Sequence, residues 1–476
     1  MQKKRKTKVI ATLGPASASE EVISRLITAG VDLFRLNFSH GIQEEHRKII
    51  KKIRCISTEK RKPIAIIQDL QGPKVRIGHL KKTAYNLKRN KPFTLLKNQC
   101  IGTDEAASTD YPILHKKVRA GDQIMVNDGQ IVLQVLHIKK GDIFCRIVEE
   151  GLLQAHKGVN VPKRELGFPV LTEKDKSDLT FGLNAGVDYI ALSMVRNAKD
   201  ILSTKQFIQK TNKSVPVIAK LEQAMAITHL DEILKVADGV MVARGDLGVE
   251  IPLEQVPTLQ KKIIRKANDA QIPVITATQM LESMMFQTRP TRAEVSDVAN
   301  AIFDGTDAVM LSGETAAGHY PIKTVRMMTR IINQAESLPG NTDYFSSQHR
   351  TLPQAVSQAA CQLASQMNAK AIVTSTLSGG SALRLSKYRP GMPIIAFTPD
   401  PIIKRRMSLY WGVEPHGMSM LSSGEDIFDE MIKGIDQAKL ASKKSLLIMI
   451  SQSPSKQPES SDNPPTDLIK VHQVST

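Results

Sequence analysis

Charged and hydroxyl-bearing residues recur in this 476-residue chain at the ends of short apolar runs. The run LFRLNFSHG carries Arg35, Asn37 and Ser39 at i, i+2 and i+4, so extended backbone would turn all three to one side. IIQDLQGPK ends on Asp69, with Lys74 and Arg76 just beyond. VIAKLE carries Lys220 and Glu222, again two apart. MVARGDLGVE supplies Arg244, Asp246 and Glu250, and ITATQMLE supplies Thr278, Gln279 and Glu282. Any one of these is accounted for by an ion pair at a loop edge. Brought to one mouth, a lysine beside carboxylates and arginines describes a site that holds a hard cation and an anionic phosphate together.

The elements that would bring them together are legible in the hydrophobic pattern. Short β-branched runs at 8–13, 33–37, 64–69, 189–193, 217–220, 239–243, 274–277 and 308–311 alternate with amphipathic stretches such as 20–29, 199–209, 259–268 and 293–303. Apolar runs separated by helices indicate parallel βαβ units. Eight of them predict a (β/α)₈ barrel, whose active site lies at the C-terminal ends of the strands. An open doubly wound sheet is the alternative that the pattern alone allows.

The rhythm breaks after the third run. From 71 to about 168 the chain shows no helical pattern, and the runs at 92–96, 123–126, 131–138 and 143–148 are short and often alternating. They predict a small antiparallel β-barrel inserted into a βα loop. Helical periodicity resumes behind Thr172, a candidate N-cap. Beyond Leu338 a linker-like LPGNTDYFSSQHR leads to a helix at 352–367, a strand at 371–375 and further βα alternation to 446–450, an open α/β domain. The Pro/Ser-rich stretch at 453–466 is expected to be disordered, and LIKVHQV to return as a last strand. The division expected is 1–70 with 169–338 for the barrel, 71–168 for the insertion and 339–476 for the C-terminal domain.

Composition removes several function classes. The four cysteines are far apart and form no C-x-x-C pair, which argues against a zinc knuckle or a disulfide framework and fits a reducing cytoplasm. The surplus of 65 basic over 47 acidic side chains is scattered, and aromatics are 4%, so no nucleic-acid surface is expected. No apolar run reaches the ~20 residues that cross a bilayer, and the N-terminal apolar run is too short for a secretory signal. P-loop, dinucleotide-fold and protein-kinase motifs are absent. The RGD at 244–246 reads as coincidence in a chain not expected to be secreted.

At the same residues the sequence resembles the pyruvate kinase family. TLGPAS at 12–17, RLNFSHG at 35–41, DLQGPKVR at 69–76, AKLE at 219–222, MVARGDLGVE at 241–250, ATQMLESM at 277–284, PTRAEV at 290–295 and MLSGETA at 310–316 carry the likeness in order. The resemblance implies a barrel, a lid in the insertion and an effector-binding C-terminal domain, in a cytoplasmic homotetramer. It also implies phosphoryl transfer from phosphoenolpyruvate to ADP, giving pyruvate and ATP. Glu222 and Asp246 would hold Mg²⁺ or Mn²⁺, and a second metal would travel with the nucleotide. Lys220 would meet the transferring phosphoryl group, with Arg35 and Arg76 on phosphate. Thr278 would face the enolate, and Ala243, Arg244 and Gly245 would meet the substrate carboxylate through their N–H groups. Asn37, Arg76, Lys157 and Pro15 would contact nucleotide.

Three departures from the family pattern stand out. Glu222 is followed by QAMA where the family reads N-x-E-G, and Met194 stands where Phe is common. Many members read DTKGPEIR where this chain has DLQGPKVR. The monovalent-cation position, among Asn37, Ser39, Asp69 and Leu70, thus loses a threonine oxygen, and Lys74 replaces a glutamate; the expectation is an enzyme that needs no K⁺. In the C-terminal domain, STLSGGS opens a helix, where hydroxyls and N–H groups suit a phosphate or simply cap the helix. The family's sugar-phosphate activator would place its phosphate at Thr376, Ser378, Gly379 and Ser381. Two other functions fit parts of the pattern: a lyase or mutase on a phosphoenolpyruvate-type barrel, and a non-catalytic metabolite sensor.

Overall fold

Eight short strands close a parallel barrel in the computed structural model, which describes residues 5–162, 164–338, 351–419, 424–452 and 466–474. In chain order they are Lys8–Leu13, Leu33–Asn37, Ala65–Asp69, Tyr189–Leu192, Val217–Leu221, Gly239–Ala243, Val274–Ala277 and Ala308–Leu311, strands one to eight of the barrel. Closure is direct: Lys8 of strand one stands opposite Ala308 of strand eight. Every residue of strand one is buried, because a barrel strand meets helices on one face and the filled interior on the other. Ile10, Leu33, Ile67, Ile218, Met241 and Ile275 fill that interior. Ile23, Leu26, Ile53, Leu179, Ile263 and Val298 pack between the strands and the outer helices.

The insertion leaves after strand three. Its main sheet has seven strands, from Val75–Arg76 at one edge to Ala106–Ser108 at the other, beside a separate ribbon of Ala84–Leu87 with Gly151–Gln154. The sheet curls into a half-barrel around Phe93, Leu95, Ile124, Leu133 and Ile143, where the sequence predicted a small barrel. Irregularities at Phe144/Cys145 and Ile147/Glu149 sit in its longest pairing, the kind of bulge that bends and twists a strand. The chain re-enters the barrel at a capping box: Thr172 Oγ1 accepts from Asp175 N at 3.1 Å, and Asp175 Oδ2 accepts from Thr172 N at 3.0 Å.

The C-terminal sheet runs Val413–Gly417, Ile394–Thr398, Ala371–Ser375, Leu446–Gln452 and Thr466–Gln473 in spatial order. Four strands are parallel, and the last, read in the sequence as a returning strand, is antiparallel. The linker expected after Leu338 and the Pro/Ser-rich stretch up to residue 465 lie outside the described residues. Among the described residues no helix is long and apolar enough to cross a membrane.

This C-terminal unit closes the bottom of the barrel. Leu409, fully buried, joins the barrel's interior core, and Tyr189 at the foot of strand four donates to Arg406 O at 2.7 Å. Asp307, fully buried just before strand eight, binds Lys387 Nζ at 2.5 Å and Arg389 Nη2 at 2.9 Å. Its Oδ2 also accepts from Val274 N at 2.8 Å, at the start of strand seven. Burial lowers Lys387 to about 8, and the neighbouring Asp307 opposes the shift. Asp307→Ala would strand two buried cations. The expected cost is about 3–5 kcal/mol, read as a lower urea-unfolding midpoint; an unchanged midpoint would show that the cluster does not hold the two units together.

Candidate active site

The polar residues at the C-terminal ends of strands two to five meet around one ammonium. Lys220 Nζ lies 2.7 Å from Glu222 Oε1, 3.1 Å from Asp69 Oδ1 and 2.8 Å from Ser193 Oγ. An ammonium has three N–H bonds, and here each has an oxygen partner. Asp69 also accepts from Arg35 Nε at 2.6 Å, and Arg35 Nη1 donates to Thr12 Oγ1 at 3.2 Å. Glu222 Oε2 accepts from Met194 N at 2.8 Å. Met194 itself lies in the left-handed region, at φ 57°, an unusual conformation for a non-glycine residue and one the sequence did not announce.

The electrostatics follow from burial and sign. Burial alone would lower the Lys220 pKa, but Asp69 and Glu222 outweigh it and raise it. Burial would raise Asp69; Arg35 and Lys220 overcome that and hold it below the usual carboxylate range. Glu222 is pushed up by burial and by the nearby Asp246 charge, against the pull of Lys220. Glu222 and Asp246 therefore stand close enough to repel, which a cation between them would relieve. Among the described residues no group of three or more His, Cys, Asp or Glu stands in ligand geometry. Two carboxylates, with water and substrate oxygens completing the shell, is the set that Mg²⁺ prefers.

The helix Arg244–Glu250 follows strand six directly, where the sequence suggested only a strand end. Gly245 N donates to Thr278 Oγ1 at 2.8 Å, and Thr278 Oγ1 donates to Ala277 O at 2.6 Å. Thr278 has φ 68°, at the sharp turn that ends strand seven. The Arg244 guanidinium is committed elsewhere, to Asp297 Oδ1 at 2.7 Å and Thr278 O at 2.7 Å, so only its backbone faces the site. Asn37 ends strand two and its Oδ1 accepts from Ser39 N at 3.1 Å. Ser39 has left the extended chain, so the expected shared face of three residues reduces to Arg35 and Asn37.

The remaining candidates sit on the loops and the insertion. Arg76 Nη1 donates to His156 O at 3.0 Å, and Lys157 lines an open hollow of about 520 Å³ with His79, Lys81, Lys82 and Thr83. Pro15 is exposed beside Gly14, where a Cβ would come within 2.6 Å of Ala316 O. Lys74 Nζ lies 3.6 Å from Asp246 Oδ1 and 3.9 Å from Asp128 Oδ1, not against Asp69, whose partners are Arg35 and Lys220. Leu70 is buried, and its carbonyl accepts from Ser193 Oγ at 2.7 Å. In the C-terminal unit, Thr376 Oγ1 accepts from Gly379 N at 2.9 Å and Ser378 Oγ from Gly380 N at 3.4 Å; Ser381 Oγ accepts from Arg384 Nη2 at 3.3 Å. Gly379, at φ 87°, caps the helix Gly380–Lys387.

Ser193 and Asp128 escaped the sequence reading. Ser193 could have been found from its place at the end of strand four, next to the strand that carries Lys220. Asp128 had no signal, because its nearness to Lys74 depends on how the insertion folds over the barrel.

A parallel barrel with an inserted half-barrel, and a lysine set between carboxylates at its mouth, defines an enzyme of phosphorylated substrates. Residues 4–325 match the family model described as pyruvate kinase, barrel domain, and 354–472 match the one described as pyruvate kinase, alpha/beta domain. The chain is 45% identical to pyruvate kinase 2 of Synechocystis sp. over 474 residues, covering 99% of this chain and 79% of that protein. It is 41% identical to the pyruvate kinase of Geobacillus stearothermophilus, over 99% of this chain and 81% of that one. A crystal structure of a pyruvate kinase from Cryptosporidium parvum superposes with a TM-score of 0.91 at 34% identity, covering 98% of this chain and 96% of that one. The chain belongs to the pyruvate kinase family. Its activity is the family's transfer of a phosphoryl group from phosphoenolpyruvate to ADP in glycolysis, giving pyruvate and ATP.

Proposed function

We propose that Lys220 carries this phosphoryl transfer, that Glu222 and Asp246 hold its divalent metal, and that the reaction needs no potassium. The observation behind the reading is the ammonium of Lys220, fixed at the barrel mouth by three oxygens, one of them from the metal-ligand candidate Glu222. When bound, Mg²⁺ or Mn²⁺ would polarise the substrate's carboxylate and phosphoryl oxygens. Phosphoryl transfer depends on positioning and charge neutralisation more than on covalent help, and the chain's own residues supply both. Lys220 meets the phosphoryl group in flight and then balances the enolate left behind. Arg35, steadied by Asp69 and Thr12, holds the transferring phosphate. Arg76 and Lys157 on the insertion, with Asn37 and Pro15 on the barrel loops, meet the nucleotide phosphates. Thr278 presents its hydroxyl on the enolate face, where a water delivers the proton. The arrangement divides labour among 1–70 with 169–338 for catalysis, 71–168 for closure and 339–476 for regulation, in a cytoplasmic homotetramer whose assembly sedimentation velocity would test.

Lys220→Met removes a charge that matters most in the transition state. We expect kcat to fall by at least ~100-fold with KM for phosphoenolpyruvate within a few-fold of wild type. Wild-type kcat with a raised KM would reduce Lys220 to a binding group.

Potassium independence rests on Leu70, which offers no side-chain oxygen, and on Lys74, whose fixed charge stands in the same mouth. Initial rates in Tris or tetramethylammonium buffer should be the same with and without K⁺ at constant ionic strength. Strong activation by K⁺ would end this reading. If it holds, the double change Leu70→Thr with Lys74→Glu should make the rate K⁺-dependent.

Thr376 and Ser378 accept from the N–H groups of Gly379 and Gly380 at the start of the helix Gly380–Lys387, and Ser381 lies in its first turn, a setting that suits the phosphate of a sugar-phosphate activator. Ser381→Glu should abolish the response to fructose 1,6-bisphosphate or to a sugar monophosphate, whichever activates the parent. A full response in the variant would place the activator elsewhere.

A further inference from the structure

We infer that Lys74 is a resident counter-ion of the divalent-metal site and sets its affinity for metal. The inference rests on the assignment of Glu222 and Asp246 as ligands. Each of these carboxylates has an ammonium beside it: Lys220 Nζ at 2.7 Å from Glu222 and Lys74 Nζ at 3.6 Å from Asp246. Lys220 belongs to the barrel and is needed for the reaction. Lys74 comes from the entry to the insertion, one residue before the edge strand Val75–Arg76.

The backbone around Lys74 directs its stem into the mouth. A Cβ at Gly158, on the strand paired with Val75–Arg76, would lie 2.6 Å from Lys74 Cε, so the glycine leaves the channel the stem occupies. The ammonium then stands between two acids. Asp246 lies on the barrel side. Asp128 lies on the insertion side at 3.9 Å, in a turn where Asn127, Asp128 and Gly129 all have positive φ. At Gly129 a Cβ would come within 3.9 Å of Val249, so this turn sits over the helix that carries Asp246.

A divalent ion bound to Asp246 through the same oxygen at about 2.1 Å would stand within about 6 Å of an unmoved Lys74 Nζ. At that separation a double and a unit positive charge repel appreciably, even in a partly solvated cleft. Metal entry therefore displaces Lys74 from Asp246, and Asp128 is the acid that receives it. The ammonium keeps Asp246 neutralised in the metal-free site and lowers metal affinity until the exchange occurs. The exchange also joins the insertion to the barrel through charge, because Asp128 moves with the former and Asp246 with the latter.

The test is Mn²⁺ binding to the substrate-free full chain, read from the electron paramagnetic resonance signal of free Mn²⁺. Lys74→Met should tighten the Mn²⁺ Kd about three- to tenfold, Lys74→Gln should do the same, and Lys74→Arg should stay within about twofold of wild type. Lys157→Met, which removes a lysine from the hollow of the insertion, should stay within about twofold as well. Unchanged or weaker binding in both neutral Lys74 variants overturns the inference, and so does equal tightening by Lys157→Met. Asp246→Asn separates the two claims. If Mn²⁺ affinity survives it, the ligand assignment fails and this inference with it. If affinity is lost there while the neutral Lys74 variants match wild type, only the inference fails.

Discussion

A lysine ammonium buried at the barrel mouth is the constraint around which the site is arranged. Taking such a charge out of water is costly unless oxygens replace its hydration. Asp69 comes from strand three, Ser193 from the end of strand four and Glu222 from the end of strand five. Arg35 from strand two then balances the second carboxylate. Removing one member leaves its partners uncompensated, so four neighbouring strand ends are tied into one electrostatic unit. The arrangement is preorganised: its charges are in place before a substrate arrives, which is the condition under which charge stabilisation contributes most to a phosphoryl transfer.

The opposite end of the barrel repeats the principle for another purpose. Asp307 holds Lys387 and Arg389, and Asp188, also fully buried, holds Arg54 at 2.7 Å and Arg405 at 2.8 Å. These acids precede strands eight and four, and their cations include three from the C-terminal unit. Leu409 completes the apolar plug between them. A packed interior thus separates two charged ends, one chemical and one architectural. The helix Gly380–Lys387 joins them to the phosphate-suited loop, with that loop at its start and Lys387 at its last residue.

Between the insertion and the barrel the contacts are lighter. Lys74, Asp128 and the turn over Val249 meet the helix Arg244–Glu250 through ions and edges of side chains, not through a shared core. The insertion has its own core around Phe93 and Leu133, separate from those of the barrel. A unit attached in this way can move against its neighbour without unpacking either, which is what a lid over a phosphate site requires.

The sequence by itself determined the eight barrel strands, because β-branched runs alternating with amphipathic helices mark parallel βαβ units, and five of the eight agree with the structure at both ends. It also determined that Lys220 and Glu222 lie together, since alternate residues at a strand end face the same way. Partners across strands were decided only by the tertiary structure. Ser193 reaches Lys220 through the stagger of neighbouring strands, and Met194 supplies its N–H to Glu222 from a left-handed conformation. Arg244, adjacent in sequence to the site, turns its guanidinium to Asp297 on an outer helix. In the insertion the longer strands were legible, at 92–96 and 123–126 to the residue, whereas strands of two or three residues carried too little periodicity to read. Periodicity reports which face of an element is buried; which charges meet across elements is set by closure and stagger, and those exist only once the chain has folded.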